Sequence, residues 1–324
     1  MAALRPLRHA ASRPLRHAAG TVLESLRLAM ARSTLSMFDH ADYPLEHTLD
    51  HEGDPGLLGP DSVSWRLIAD PAAFVGGIRA LLIQAAHPEV VAGVDQHSRY
   101  RDDPMGRLSR TSAYVTATTF GAMPEVEHAL VQVRRVHAIV RGTSSRGVRY
   151  SAADSGYSAW VHNALTDSFL TTNQRYSGYP LTVAEADRFV EEQTRIGALL
   201  GSSPLPDTAG ELRHWIEDHP DIARSREMES VIDFLTDPPL SVGIKAGYLV
   251  MLEAAVTTLP ARIREILGVR PKPAADAAGR AAVGSLRWAL GYSPSWALAL
   301  MRTGAELPDG LFRRTPGGAL DRAS

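Results

Sequence analysis

Helix N-terminal signals recur along this chain and restrict it to a largely helical fold. Each signal is either an aspartate–proline pair or a threonine three residues before a glutamate, and both patterns suit the first turn of a helix. The four signals begin at Asp70, Asp103, Thr182 and Thr208. Alternating strand patterns are nearly absent, apart from a short extended stretch predicted at residues 147–152. We therefore predict an all-α protein.

Composition favours one large domain. The chain has 324 residues, of which 44% are apolar and 22% charged, so it can bury a substantial core. No break in composition divides residues 40–300. We predict a single globin-like helical domain at residues 36–305 and a flexible tail at residues 306–324. The apolar residues 243–259 are predicted to form a central helix, and the pair Gly76-Gly77 allows close helix packing.

The first 35 residues form a basic segment in which RPLRHAA occurs twice. We predict an N-terminal arm at residues 1–35 that is partly disordered or helical, and peripheral contact with an anionic membrane surface is the alternative. The overall net charge of −2 gives no argument for nucleic-acid binding, and none is expected. The chain has no apolar run of the length that a transmembrane helix needs.

The chain contains no cysteine. This excludes disulfides, thiolate-ligated heme, iron–sulfur clusters and a cysteine nucleophile. A chain without disulfides suits the cytoplasm, which is the localisation that we expect.

Two adjacent predicted helices carry the candidate site. Arg107, Arg110 and Thr111 share one face of the helix after Pro104, because they are three and four residues apart. The next helix is predicted to begin at Pro124 and to end at Gly142. His137 lies on its apolar face, where it is either a core histidine or a ligand. A ligand with apolar flanks favours a large hydrophobic cofactor, and arginines suit its anionic groups. Surface salt bridges are the alternative for the two arginines.

Three stretches have the order and spacing of a known family. They are LLIQAAHPEVVAGVDQHSRYRDDPMGRLSRT, VRRVHAIVRG and YSAADSGYSAWVHNAL, which begin at residues 81, 133 and 150. Over about residues 60–260 the chain resembles the bacterial family that groups the MpaB oxygenases with the latex clearing protein, a rubber oxygenase. The resemblance implies an all-helical fold with a heme b pocket. It also implies a reaction with dioxygen, and the rubber and MpaB enzymes cleave isoprenoid carbon–carbon double bonds.

The resemblance also implies roles for individual residues. It makes His137 the proximal ligand of the heme iron and places Arg107 and Thr111 in an Arg-x-x-basic-Thr motif beside the heme. Arg110 stands where rubber oxygenases have a lysine that can close the distal side of the iron. Arginine stays protonated and is a poor iron ligand, so we assign Arg110 to a propionate or to the substrate. Arg110 and Thr111 are the predicted catalytic residues. The change at Arg110 argues against rubber as the substrate, and Glu89 is the nearest candidate for a base.

The sequence therefore predicts a heme b-dependent oxygenase that acts with dioxygen on an apolar small molecule, either isoprenoid or lipid-like. A carboxylate-bridged di-iron protein is the first alternative, because Glu125-x-x-His128 and Glu211-x-x-His214 have the spacing of such sites. A heme-binding protein without catalytic activity is the second. Among the other histidines, His87 is predicted to cap a helix end or to border the pocket.

Overall fold

Helices form almost all of the regular structure in the computed structural model, which describes residues 12–35, 40–306 and 308. The all-α, single-domain prediction is confirmed. Within the described residues, the elements in chain order are α1 (Ser12–Leu35), a 3-10 helix (Thr48–His51), α2 (Val63–Ala69), α3 (Ala72–Ala85), α4 (Pro88–His97), α5 (Pro104–Phe120), α6 (Met123–Ile139), β1 (Arg141–Thr143), β2 (Arg149–Ser151), α7 (Ser155–Tyr176), α8 (Val183–Leu199), α9 (Ala209–Glu217), α10 (Arg226–Thr236), α11 (Val242–Thr258), α12 (Ala261–Leu267), α13 (Ala275–Leu290) and α14 (Pro294–Thr303).

The helix starts that were predicted from the sequence are present in the structure. Asp103 begins α5 by accepting a hydrogen bond from the backbone nitrogen of Gly106 at 2.9 Å. Thr182 begins α8 with a complete capping box, since its hydroxyl accepts from the Glu185 nitrogen at 3.3 Å and Glu185 accepts from the Thr182 nitrogen at 2.9 Å. These caps satisfy N–H groups that have no partner inside a helix. They fix where α5 and α8 begin.

We expect Thr182→Ala to lower the free energy of unfolding by about 1 kcal/mol, the usual cost of losing an N-cap side chain. The hydroxyl accepts from Glu185 and has no replacement in alanine. Urea unfolding followed by circular dichroism measures the change, with Thr182→Ser as the control that keeps the hydroxyl. Equal stability of the alanine and serine variants would contradict this account of the cap.

The centre of the main core lies between α3 and α7. At Gly76 an added Cβ would lie 2.7 Å from Cδ1 of Phe169 and 2.8 Å from Oγ1 of Thr172, so a side chain would push α7 away. The predicted close approach is confirmed at Gly76. Gly77 has a different environment, because an added Cβ there would meet nothing within 4 Å. The glycine pair therefore packs on one side and leaves open space on the other.

The helix predicted at residues 243–259 is confirmed, but only part of it is fully buried. In α11, the buried residues are confined to Leu252, Ala254, Ala255 and Val256. Val242, at its start, is 88% exposed. Apolar composition alone does not distinguish a helix buried on all sides from one that packs over half of its length. The fully buried residues of α11 lie in its second half, whereas Tyr248 and Leu249 before them pack against the core while partly buried.

The end of α6 differs from the prediction. The helix was predicted to reach Gly142, but it ends at Ile139, and Arg141–Thr143 forms a strand instead. This strand pairs antiparallel with Arg149–Ser151, which confirms the extended stretch predicted there. Gly142 opposes Tyr150, and an added Cβ at Gly142 would lie 2.6 Å from the tyrosine hydroxyl. This long-range pairing ends the helix early.

A second core cluster joins α2, α5 and α14, and its polar centre is Arg302. Arg302 is 1% exposed, and its Nη1 donates to Oγ1 of Thr48 at 2.6 Å and to the carbonyl of Phe120 at 2.7 Å. Its Nε donates to the carbonyl of Asp54 at 2.8 Å. One side chain thus connects three segments that are distant in sequence.

The basic segment is helical over Ser12–Leu35. Arg27 on this helix is buried and donates to the carbonyl of Ala289 on α13 at 2.9 Å. Residues 1–11 and nearly all of the predicted tail lie outside the described residues. The membrane contact of the arm and the cytoplasmic localisation stay predictions. Among the described helices none is by itself long and apolar enough to cross a bilayer; α2 and α3 together reach that length and composition but are bent by 91°.

Candidate functional site

Arg107 on α5 is a half-buried cation. Its guanidinium forms no hydrogen bond and no ion pair with any residue in the described part of the chain, and its central carbon lies 5.9 Å from the ring centroid of Tyr100. Desolvation by burial lowers the pKa of Arg107 to about 10, and Tyr100 and Arg110 contribute smaller, opposed effects. The group still carries its charge at neutral pH. An unpaired cation that has lost part of its water favours an anionic partner.

Arg110 and Thr111 lie on the solvent side of the same helix. Nη1 of Arg110 is 3.2 Å from Oδ2 of Asp103, so this arginine makes the surface salt bridge that was its alternative role. Thr111 is exposed and donates its hydroxyl hydrogen to the backbone carbonyl of Arg107 at 3.1 Å. The structure keeps the Arg-x-x-Arg-Thr motif on one helix but turns its members to different surroundings. The catalytic roles of Arg110 and Thr111 stay predictions.

His137 lies near the end of α6, the helix that packs directly on α5. Its ring is half-buried and forms no hydrogen bond with any described residue. Burial lowers the pKa of His137, so the imidazole is neutral at pH 7 and can act as a ligand. Val126 and Leu130, on the same stripe of the helix, are buried as the spacing predicts. The helix pair α5–α6 therefore carries both the unpaired cation and the imidazole.

Tyr114 on α5, two turns beyond Arg107, is the third group of the α5–α6 pair without a hydrogen-bond partner among the described residues. This group is its hydroxyl, which is buried. Burial raises the pKa of this hydroxyl, which keeps it protonated and able to donate. A buried hydroxyl without a partner is costly, and a ligand that accepts a hydrogen bond removes the cost.

Apolar side chains remain partly exposed where α3, α4, α5 and α11 meet the main core. We call these residues the apolar border; they are Leu81, Val94, Val115, Leu249 and Met251. An added Cβ at half-buried Gly77 on α3 would meet nothing within 4 Å, so this helix leaves space beside it, whereas Gly247 on α11 is exposed to solvent. Apolar surface of this kind suits a hydrophobic ligand.

A second cluster lies at the junction of α3 and α4. His87, His219 and Asp221 each place one potential ligand atom within 4.8 Å of the others. His87 is 2% exposed, and its Nδ1 has no hydrogen bond within the described part of the chain. Burial, with a smaller effect from His219, lowers the pKa of His87 to about 4. His87 occupies the N-cap position of α4, at a helix end as predicted, but its side chain makes no capping hydrogen bond there.

Sequence reasoning missed His219 and Asp221. They lie in the loop between α9 and α10, far along the chain from His87, and no local pattern connects the two regions. The only available signal was the short His-Pro-Asp run, which is weak without a third ligand. Only the tertiary fold brings His219 and Asp221 close to His87.

The two Glu-x-x-His pairs of the di-iron alternative do not meet. Glu125 accepts from the Ala122 nitrogen at 2.8 Å and from Thr48 at 2.9 Å, so it is used in the second core cluster. His214 on α9 is exposed and lies 2.9 Å from Asp218. In the described ranges, the group with metal-ligand spacing is His87, His219 and Asp221, and it contains neither pair. The structure therefore does not support a di-iron centre.

Comparison with known proteins identifies the family. The family model described as "ER-bound oxygenase mpaB/B'/Rubber oxygenase, catalytic domain" matches residues 65–288, which include α5, α6 and the histidine cluster. No curated protein and no solved structure matches the chain. Because the family match covers well over half of the chain, this protein belongs to the MpaB and rubber-oxygenase family.

Proposed function

We propose that this protein is a heme b-dependent oxygenase that acts with dioxygen on an apolar small molecule, either isoprenoid or lipid-like. Membership of an oxygenase family supports the reaction class. The observation that carries the heme proposal is a pair of groups on α5 and α6 that have no hydrogen bond or ion pair with any described residue. They are the Arg107 cation, whose contact is the Tyr100 ring, and the neutral His137 ring.

The residues present fit the chemistry of heme. A heme needs a neutral imidazole for its iron, cations for its propionates and apolar surface for its ring. His137 would hold the iron, Arg107 would bind a propionate, and the apolar border would cover the macrocycle. The buried Tyr114 hydroxyl, which lacks a partner, would donate to the cofactor or to the substrate.

Bound heme supplies the iron chemistry that activates dioxygen. The residues of the protein would bind and orient the heme and the substrate. Arg107 would fix a propionate, and the apolar border would exclude water from the substrate. Arg110 and Thr111 lie at the solvent side, where we assign them to contact with a propionate or with the entering substrate. A surface of valine, leucine and methionine selects lipid-like molecules over polar ones.

The absorption spectrum of the purified protein, with and without dithionite, tests the cofactor directly. We expect a Soret band at one heme per chain and a shift on reduction. Oxygen uptake with isoprenoid and fatty-acyl substrates then tests the reaction. Protein without heme would contradict the cofactor proposal, and heme-loaded protein that consumes no dioxygen with either substrate class would contradict the oxygenase proposal.

We expect Arg107→Ala to weaken heme binding roughly 10- to 100-fold, since a hydrogen bond to a charged group contributes about 1.5–3 kcal/mol. Titration of the heme-free protein with hemin measures this affinity. Arg135→Ala is the matched control, because Arg135 is exposed on the neighbouring α6. Equal heme affinity in the Arg107 and Arg135 variants would remove Arg107 from the propionate site.

A further inference from the structure

We propose that His87, His219 and Asp221 bind a divalent first-row transition-metal ion, with Zn²⁺ as the representative, at a site distinct from the α5–α6 helix pair. The three residues come from the α3–α4 junction and from the α9–α10 loop. None of them belongs to the proposed heme site, so the two proposals stand or fall separately.

The donor atoms are close to the spacing that a metal ion requires. In the structure they lie within 4.8 Å of one another. Ligands of a tetrahedral zinc ion, at bonds of roughly 2.0–2.1 Å, are about 3.4 Å apart. His219 is half-buried and Asp221 exposed, so rotation of these two side chains can close the difference while buried His87 stays in place.

His87 could bind a metal through Nε2, because its other ring nitrogen, Nδ1, faces Glu89. A buried imidazole nitrogen normally has a hydrogen-bond partner, yet Nδ1 of His87 has none and lies 3.5 Å from Oε2 of Glu89. A metal bound through one ring nitrogen would leave the other to donate its proton to Glu89, an arrangement common around histidine ligands. Glu89 is already held in place, since it accepts a hydrogen bond from Ser144 at 3.1 Å.

Aromatic rings pack against the side of the cluster that faces the protein interior. The His219 ring centroid lies 4.8 Å from that of Trp160 and 4.7 Å from that of Trp215, and His87 packs 5.6 Å from Trp160. These rings restrict water on one side, and exposed Asp221 leaves a path for the ion on the other. With three protein donors, a tetrahedral ion would also have a fourth coordination position for water.

The charges and donor types favour a transition metal. Arg146 and Arg262 are the cations that act on the two histidines, and Glu89 and Asp221 are the acids that oppose them. Two imidazoles and one carboxylate prefer zinc and its neighbours over calcium or magnesium, which select oxygen ligands. The bound ion would fix the α9–α10 loop against the α3–α4 junction, where Ala223 already donates to the carbonyl of Ala86 at 3.0 Å.

Equilibrium dialysis of the chelator-treated full chain against ZnCl₂, followed by elemental analysis, tests the site. We expect the wild type to retain one zinc ion per chain, and His219→Ala and Asp221→Asn each to lower the zinc affinity at least about 10-fold. His214→Ala is the matched control, because His214 is exposed on α9 and lies outside the cluster. Zinc should also raise the melting temperature of the wild type and of the control, but not that of His219→Ala.

Two results would overturn the proposal: a wild type that retains no zinc, or a His219→Ala variant that binds zinc as tightly as the wild type. The heme content of every variant is measured in parallel. Unchanged heme with lost zinc separates this site from the oxygenase site, whereas loss of heme in the zinc-free wild type would contradict their independence.

Discussion

The His137→Ala variant is expected to purify without stoichiometric heme, because alanine removes the imidazole that we propose as the iron ligand. His137 is half-buried and has no hydrogen bond or ion pair with any described residue, so no polar interaction of its ring with the protein would be lost. The Soret absorbance per chain measures the effect. His128→Ala is the matched control, since His128 is exposed on the same helix.

Addition of imidazole separates a ligand role from a structural role. If His137 binds the iron, free imidazole should occupy the vacated position and restore a heme spectrum to the alanine variant. Circular dichroism should show the same helical content in the variant and in the wild type. A variant that keeps the wild-type spectrum would exclude His137 as the ligand.

The Arg79→Ala variant is expected to lose about 3–5 kcal/mol of unfolding free energy, because it leaves a buried carboxylate without its partner. Nη1 of Arg79 lies 2.6 Å from Oδ2 of Asp167 and 2.9 Å from Oγ of Ser168. The two charged side chains are 2% and 5% exposed. Urea denaturation measures the loss.

Arg280→Ala provides the comparison for an exposed pair. Its guanidinium lies 3.3 Å from Asp276 with about half of its side chain exposed, so its loss should cost at most about 1 kcal/mol. The double variant Arg79→Met with Asp167→Leu should recover much of the stability, because it removes both buried charges. A single Arg79→Ala variant as stable as Arg280→Ala would contradict the buried pair.

Local signals predicted much of the helical framework. The caps at Asp103 and Thr182 act within four residues, so the sequence alone placed the starts of α5 and α8. The end of α6 was misplaced because it depends on the pairing of Gly142 with Tyr150, and a strand partner is not visible in a helical pattern. The burial of only part of α11 was also not predictable, since apolar composition does not specify which face is covered.

The residues of the candidate sites were likewise predictable only in part. Arg107 and His137 could be selected because helical spacing shows which residues share a face. The open side of Gly77 and the isolation of the Arg107 charge required the packed structure. The cluster of His87 with His219 and Asp221 could not be predicted, because the chain brings these residues together only through its tertiary fold.

The interactions of Arg302 also affect the order in which the protein can finish folding. Its hydrogen-bond acceptors Phe120 and Thr48 precede it by 182 and 254 positions. During synthesis, Phe120 and Thr48 leave the ribosome long before the arginine that connects them. The nascent chain therefore carries an incomplete second core until translation has passed α14. Truncation before this helix should yield a species that chaperones retain and proteases cleave.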